Sequence, residues 1–174
     1  MRTTRELYAG AKYHVTAKIN RGEFALKSPE VKELFLHTVR RARKKYSFEL
    51  RSFTLMDNHI HFLIKPGKNE SLSRIMQWIL GVFAKAFNKY FKLKGHVWYD
   101  RFKSIVIESF DQLIATFRYI FNNPVKAGIV ENPEDYIYSS LWFSRHKQFD
   151  IVEPPKQYLL AVLPEFFTQK LSGK

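Results

Sequence analysis

Cysteine is absent from the 174 residues. That absence removes disulfides, thiolate zinc sites and a cysteine nucleophile together. No G-x-x-x-x-G-K-[ST] loop occurs, so any strand-breaking or strand-joining chemistry has to run without a P-loop and its nucleotide cofactor. Apolar runs of bilayer-spanning length are missing, and the start, Met1-Arg2-Thr3-Thr4-Arg5-Glu6, lacks the apolar core of a secretory signal. The expectation is a cytoplasmic protein without a membrane partner. Acidic residues are scarce: 16 Asp+Glu stand against 29 Lys+Arg, a formal charge of +13. Such a surplus points to a polyanionic partner, nucleic acid first. There is no internal repeat, low-complexity tract or interdomain linker. With 45% hydrophobic residues the chain can bury one sizeable core.

What is present is organised by two periods. Tyr13, Val15, Ala17 and Ile19 alternate with His14, Thr16 and Lys18, as in a half-buried strand that breaks at Asn20-Arg21-Gly22. Ser28-Pro29-Glu30 opens a helix with apolar Val31, Leu34, Phe35 and Ala42, ending in the basic cluster of Arg40, Arg41, Arg43, Lys44 and Lys45. That cluster suits either the helix C-terminal dipole or a phosphate patch. Phe48 to Met56 and His59 to Ile64 read as a hairpin around Asp57-Asn58. A long amphipathic helix follows from Ser71, with Gly95 just past its end, and Ile105 to Ile107 form a fourth strand. Ser109 and Gln112 make a capping-box pattern for a further helix, which Pro124 is expected to stop. The order strand, helix, strand, strand, helix, strand predicts an α+β sandwich of the ferredoxin-like kind, a mostly antiparallel sheet covered by helices. Residues 1–145 are assigned to this domain and 146–174 to a C-terminal extension of unread role.

Within the hairpin, His59 and His61 flank Ile60 and project from one strand face, so the two imidazoles can meet one metal ion or form a solvated polar pair. Histidine-triad hydrolases need a further histidine at position 63, which is Leu63. Two-histidine phosphoesterases need a second H-x-[ST] motif, and metallo-β-lactamase-like hydrolases a following D-H pair; the chain has neither. Tyr119 is the other informative residue. At about 100° per residue it lies nearly opposite its helix's apolar stripe, and packing in that helix's own core does not explain it.

The stretch Phe117-Arg118-Tyr119-Ile120-Phe121-Asn122-Asn123-Pro124-Val125-Lys126-Ala127-Gly128-Ile129-Val130 closely resembles the R-Y-I-x-x-N-P-V-[KR]-A-G-[LI]-V signature of REP-associated tyrosine transposases. Those are relatives of the single-tyrosine insertion-sequence transposases in the HUH endonuclease superfamily. Tyr13-His14-Val15-Thr16 is similar to the family's first strand, Met56-Asp57-Asn58-His59-Ile60-His61 to its metal motif, and Val97-Trp98-Tyr99-Asp100-Arg101-Phe102-Lys103-Ser104 to its W-x-x-R-F-x-S segment. The likeness runs over roughly residues 11 to 142. Asp57 stands where a proline is common, and Tyr138 where a tryptophan is common.

The resemblance implies that Tyr119 attacks a phosphate of single-stranded or hairpin DNA, leaving a 5′-phosphotyrosine and a free 3′-hydroxyl. A free phenol is only about 0.1% ionised at pH 7, a deficit of roughly 4 kcal/mol for a phenolate nucleophile. A divalent ion, Mg²⁺ or Mn²⁺, held by His59 and His61 would offset part of it, and two imidazoles favour Mn²⁺. The resemblance places the third ligand on the tyrosine helix; Asn123 is the first choice, with Asn122 or Gln112 the alternatives. His14 on the polar face of the first strand could approach DNA or metal. Trp98, Tyr99, Arg101 and Lys103 interleave rings and cations in the manner of a single-strand surface, though packing of Trp98 beside a strand accounts for it equally. Arg118, Lys126 and Arg145 are weaker candidates for phosphate contacts. The rival reading is a hairpin-DNA binder of the same fold that has lost catalysis. No glycine occurs between Gly95 and Gly128, which ties the tyrosine helix to its own sheet. A monomer acting in cis is expected, a helix-swapped dimer being the alternative.

Overall fold

Alternation along the first strand decides which chemistry faces which layer. In the computed structural model, which describes residues 8, 10–20 and 25–168, β1 (Lys12–Lys18) buries Tyr13, Val15 and Ala17 on one face and turns His14, Thr16 and Lys18 to the other. The turn expected after Asn20 lies outside the described residues. Next come α1 (Pro29–Lys45), β2 (Phe48–Leu55), β3 (His59–Pro66), α2 (Leu72–Phe91), β4 (Lys103–Ile107) and α3 (Phe110–Lys126). The sheet order is β2-β3-β1-β4, and each neighbouring pair is antiparallel. This is the ferredoxin-like order that the alternation of strands and helices predicts.

One face of the sheet carries the main core. Val15, Phe53, Ile60, Phe62 and Ile64 meet Val31, Phe35 and Val39 of α1 and Ile75, Ile79 and Phe83 of α2. Phe35 lies at ring-centroid distances of 5.1 Å from Phe83 and 6.1 Å from Phe62, edge-on or tilted. Each such buried ring contributes about 2 kcal/mol of burial energy. A bulge in β2 keeps the pattern in phase. Leu50 pairs with Ile64 and Ser52 with Leu63, so Arg51 is the extra residue. Phe48 and Leu50 before it and Phe53 and Leu55 after it therefore share one face despite their opposite parity.

The other face is covered by α3, whose Leu113, Ile114, Phe117, Ile120 and Phe121 pack with Leu63 of β3. Ser109 caps this helix by accepting from Gln112 N. Pro124 does not stop it: the helix runs on to Lys126 with Pro124 inside. A proline removes one donor, here the one that would meet Ile120 O, and the packing of Phe117, Ile120 and Phe121 beside that gap keeps the helix going. The true stop is Gly128, at φ 68°. Ile129 N donates to Pro124 O and Gly128 N to Val125 O, the paired bonds of a Schellman end. Lys92 supplies the left-handed cap of α2, at φ 55°, and Gly95 lies just past that end.

After a single 3-10 turn at Pro133–Asp135 come the short helices α4 (Ser140–Arg145), α5 (Gln157–Val162) and α6 (Pro164–Phe167). Residues past 145 join both cores. Ile151 and Val152 lie in the main one, while Leu159, Leu163 and Phe166 pack against α3, with Phe166 5.0 Å from Phe121 between ring centroids. No helix among the described residues is long and apolar enough to cross a membrane.

Candidate active site

Register assembles the site. Thr16 pairs with His61 and Lys18 with His59 across β1 and β3, while His14 and Thr16 pair with Ile105 and Lys103 across β1 and β4. All seven side chains line the α3 side of the sheet. Above them α3 presents Gln112, Ala115, Thr116, Tyr119 and Asn123, and the two surfaces enclose an open cavity of about 810 Å³. Tyr119, 42% exposed, stands at its mouth. Its ring centroid is 5.2 Å from that of His61 and 5.6 Å from that of His14, edge-on in both cases. Tyrosine and histidines therefore meet within one chain.

The histidines are oriented by their Nδ1 atoms. His59 Nδ1 lies 2.6 Å from Asn58 Oδ1, an acceptor, so the proton sits on Nδ1 and Nε2 is the ring's lone-pair nitrogen. His61 Nδ1 lies 3.0 Å from His14 Nε2 and 3.1 Å from Thr16 Oγ1. His61 Nε2, in a side chain only 4% exposed, is buried with no hydrogen-bond partner among the described residues. A buried ring nitrogen without a partner is costly unless something occupies it. Burial, then the neighbouring His59, His14 and Lys18, push the His61 pKa down to about 3. Burial likewise lowers His14 and, with Lys18, His59, where a hydrogen bond to the Asn123 side chain acts in the opposite direction. The cluster is held as neutral imidazoles, the form that binds metal.

The three amides of the tyrosine helix divide clearly. Gln112 is spent on the helix start, accepting from Glu108 N at 2.8 Å and donating to Val106 O at 3.1 Å. Asn122 donates to Arg118 O and does not line the cavity. Asn123 is buried and lines the cavity together with His59, its amide donating to Tyr119 O at 3.4 Å. Among the described residues no group of three or more His, Asp or Glu side chains is arranged to hold a metal. Two imidazole nitrogens with one amide oxygen, completed by solvent or phosphate, nonetheless fit a divalent cation, and the partnerless His61 Nε2 is the atom such an ion would satisfy.

Of the other residues singled out in the sequence, His14 and Lys103 line the cavity, and Lys126 places its ammonium 5.3 Å from the Tyr119 ring centroid. Arg40 is ion-paired with Asp150, and Arg41 lies over Trp78, 5.6 Å from the ring, on the helix that covers the opposite face. Arg118 pairs with Glu165 at 3.2 Å and Arg145 with Glu134 at 3.6 Å. Trp98 packs between Phe35 and Phe83, its indole donating to Leu80 O at 2.9 Å, while Arg101 is exposed. Thr16 and Lys18 are site residues that sequence reasoning did not single out. Their alternation with the core residues of β1 was the available signal, and only the pairing with β3 puts them beside the histidines.

Residues 8–123 match the family model described as "Transposase IS200 like". The fold is similar to that of a solved REP-associated tyrosine transposase bound to a REP hairpin: 21% identity, TM-score 0.71, covering 90% of this chain and 93% of that one. A putative transposase from Deinococcus radiodurans is also similar, at 16% identity and TM-score 0.49, over 70% of this chain and 97% of that one. No curated protein sequence matches the chain.

Proposed function

The chain belongs to the IS200-like transposase family, and from that premise we propose that it nicks and rejoins single-stranded DNA beside a hairpin, with Tyr119 as the nucleophile. The observation that carries this reading is the convergence of the Tyr119 ring on His61, whose buried Nε2 has no partner among the described residues. The hairpin is suggested by the DNA named with the similar transposase structure, and the surplus of positive charge suits it.

In the forward step a bond forms between Tyr119 Oη and phosphorus as the bond from phosphorus to the 3′ oxygen breaks. The phenolic proton leaves to solvent at the open cavity mouth, and the departing 3′ oxygen takes one up. The product is a 5′-phosphotyrosine with a free 3′-hydroxyl. Rejoining is the reverse displacement by a 3′-hydroxyl, and because the phosphodiester energy is kept in the tyrosyl link no nucleotide cofactor is needed. His59, His61 and Asn123 would hold Mg²⁺ or Mn²⁺, which when bound polarises the scissile phosphate and offsets the cost of ionising a phenol. Asn58, His14 and Thr16 keep the two metal-binding rings in the tautomer that offers Nε2. Lys126 beside the phenol, with Lys18 and Lys103 on the cavity wall, favours negative charge on the attacking and transferred groups.

The test uses a pool of hairpin oligonucleotides with single-stranded flanks, incubated with protein and Mn²⁺. A denaturant-resistant protein–DNA adduct is expected, lost on chelation and in Tyr119→Phe, whose affinity for the DNA stays nearly intact. A protein that only occupied hairpins would bind the pool and form no adduct.

A further inference from the structure

A second concavity, of about 640 Å³, lies between α2 and the segment leading into β4. Ser73, Gln77 and Leu80, one above another on α2, form one wall, and residues 96–102 form the other. Its floor is stiff. Trp98 is bridged to Ile19, hydrogen-bonded through its indole to Leu80 O and packed on Phe83. Its rim is open, with Tyr99 72% exposed and held by its backbone N, which donates to Lys18 O at 2.9 Å. The side chains of Ser73, Gln77, His96 and Arg101 make no hydrogen bond or ion pair among the described residues. An exposed ring over a stiff floor, ringed by free donors and acceptors, is what a flat heteroaromatic group needs.

The concavity adjoins the catalytic cavity. Lys18 lines the first and holds Tyr99 of the second; Lys103 lines the first, and Phe102, one Cα step of about 3.8 Å away, lines the second. The charge around it selects for a polyanion: residues 85–103 include Lys85, Lys89, Lys92, Lys94, Arg101 and Lys103, with Asp100 as their one acid.

We propose that this concavity receives one unpaired base of the single-stranded DNA flank, stacked on Tyr99, with its edge contacted by Gln77 and Arg101. The proposal rests on the DNA-processing reading above and adds a base-recognition subsite to it. A strand whose phosphate lies against Lys103 has its neighbouring base within reach of this concavity.

The test compares an oligothymidylate of about 12 nucleotides with an abasic phosphodiester chain of equal length and charge, by fluorescence anisotropy at one salt concentration. Wild-type protein is expected to prefer the base-bearing chain by about tenfold, the order of one stacked base. Gln77→Ala combined with Tyr99→Ala should bind both chains alike. Tyr99→Phe, which keeps the ring, should retain the preference, as should Tyr90→Ala, an exposed aromatic outside the concavity. The subsite is overturned if wild type shows no preference, if the double variant keeps it, or if Tyr90→Ala or Tyr99→Phe abolishes it. Base preference without any adduct on the hairpin pool would instead sink the cleavage reading and leave the subsite standing.

Discussion

His14 Nε2 lies 3.0 Å from His61 Nδ1 across the antiparallel pair of β1 and β3. In the proposed metal site His61 Nε2 meets the ion, so Nδ1 carries the proton and His14 accepts it, with Thr16 Oγ1 at 3.1 Å as the other contact. In the proposed site His14 is thus a positioning residue for the His61 ring. We expect His14→Ala to weaken Mn²⁺ binding by about tenfold in calorimetry on DNA-free protein, the usual scale for a lost partner behind a ligating histidine. His14→Gln, which restores an acceptor, should recover part of that loss. Unchanged Mn²⁺ affinity in the alanine variant would remove His14 from this role.

The same buried cluster sets a pH dependence. With the folded His61 pKa pushed down to about 3 against an unfolded value of about 6.5, folding stability is level above pH 6.5. Below that the unfolded chain takes up a proton that the folded one does not. Stability then falls by up to about 1.4 kcal/mol per pH unit from this residue until the folded pKa is reached. Urea unfolding of metal-free protein at pH 7.5 and pH 5 should show the drop, and His61→Gln should make it smaller. Equal drops in the two proteins would contradict the buried neutral imidazole.

Tyr119 and His61 meet within one chain, and α3 packs on its own sheet through Leu63. Mixing His61→Ala with Tyr119→Phe should therefore leave cleavage of the hairpin pool absent. Restored cleavage in the mixture would mean that two subunits share their sites.

Lys32 ties together the two positions at which the sequence departs from the transposase pattern. Its ammonium, in a side chain 3% exposed, lies 2.5 Å from Asp57 Oδ1 and 5.3 Å from the Tyr138 ring centroid. Removing one member of a buried pair strands the other, so Lys32→Met should cost about 3 kcal/mol in chemical denaturation. Lys32→Met combined with Asp57→Asn should cost markedly less. Equal losses would show that the two residues are not coupled.

Local pattern carried much of this molecule. The alternation of Tyr13 to Ile19, the caps at Ser28 and Ser109, and the H-x-H of β3 are properties of neighbouring residues, and period and capping chemistry act within a few positions along the chain. The same locality misled at Pro124. A helix carries an internal proline at the loss of one bond, here the one to Ile120 O, when packing holds the neighbouring turns, and its end is then set by where the terminating glycine stands. Tertiary structure alone decided what lies next to what. The register of β1 against β3 brought His14, Thr16 and Lys18 to the histidines, and the seating of α3 on Leu63 turned Asn123 rather than Gln112 or Asn122 toward His59. Those contacts join residues about fifty positions apart, and they are set by core burial on both sheet faces, a sum over the whole chain that no single segment contains.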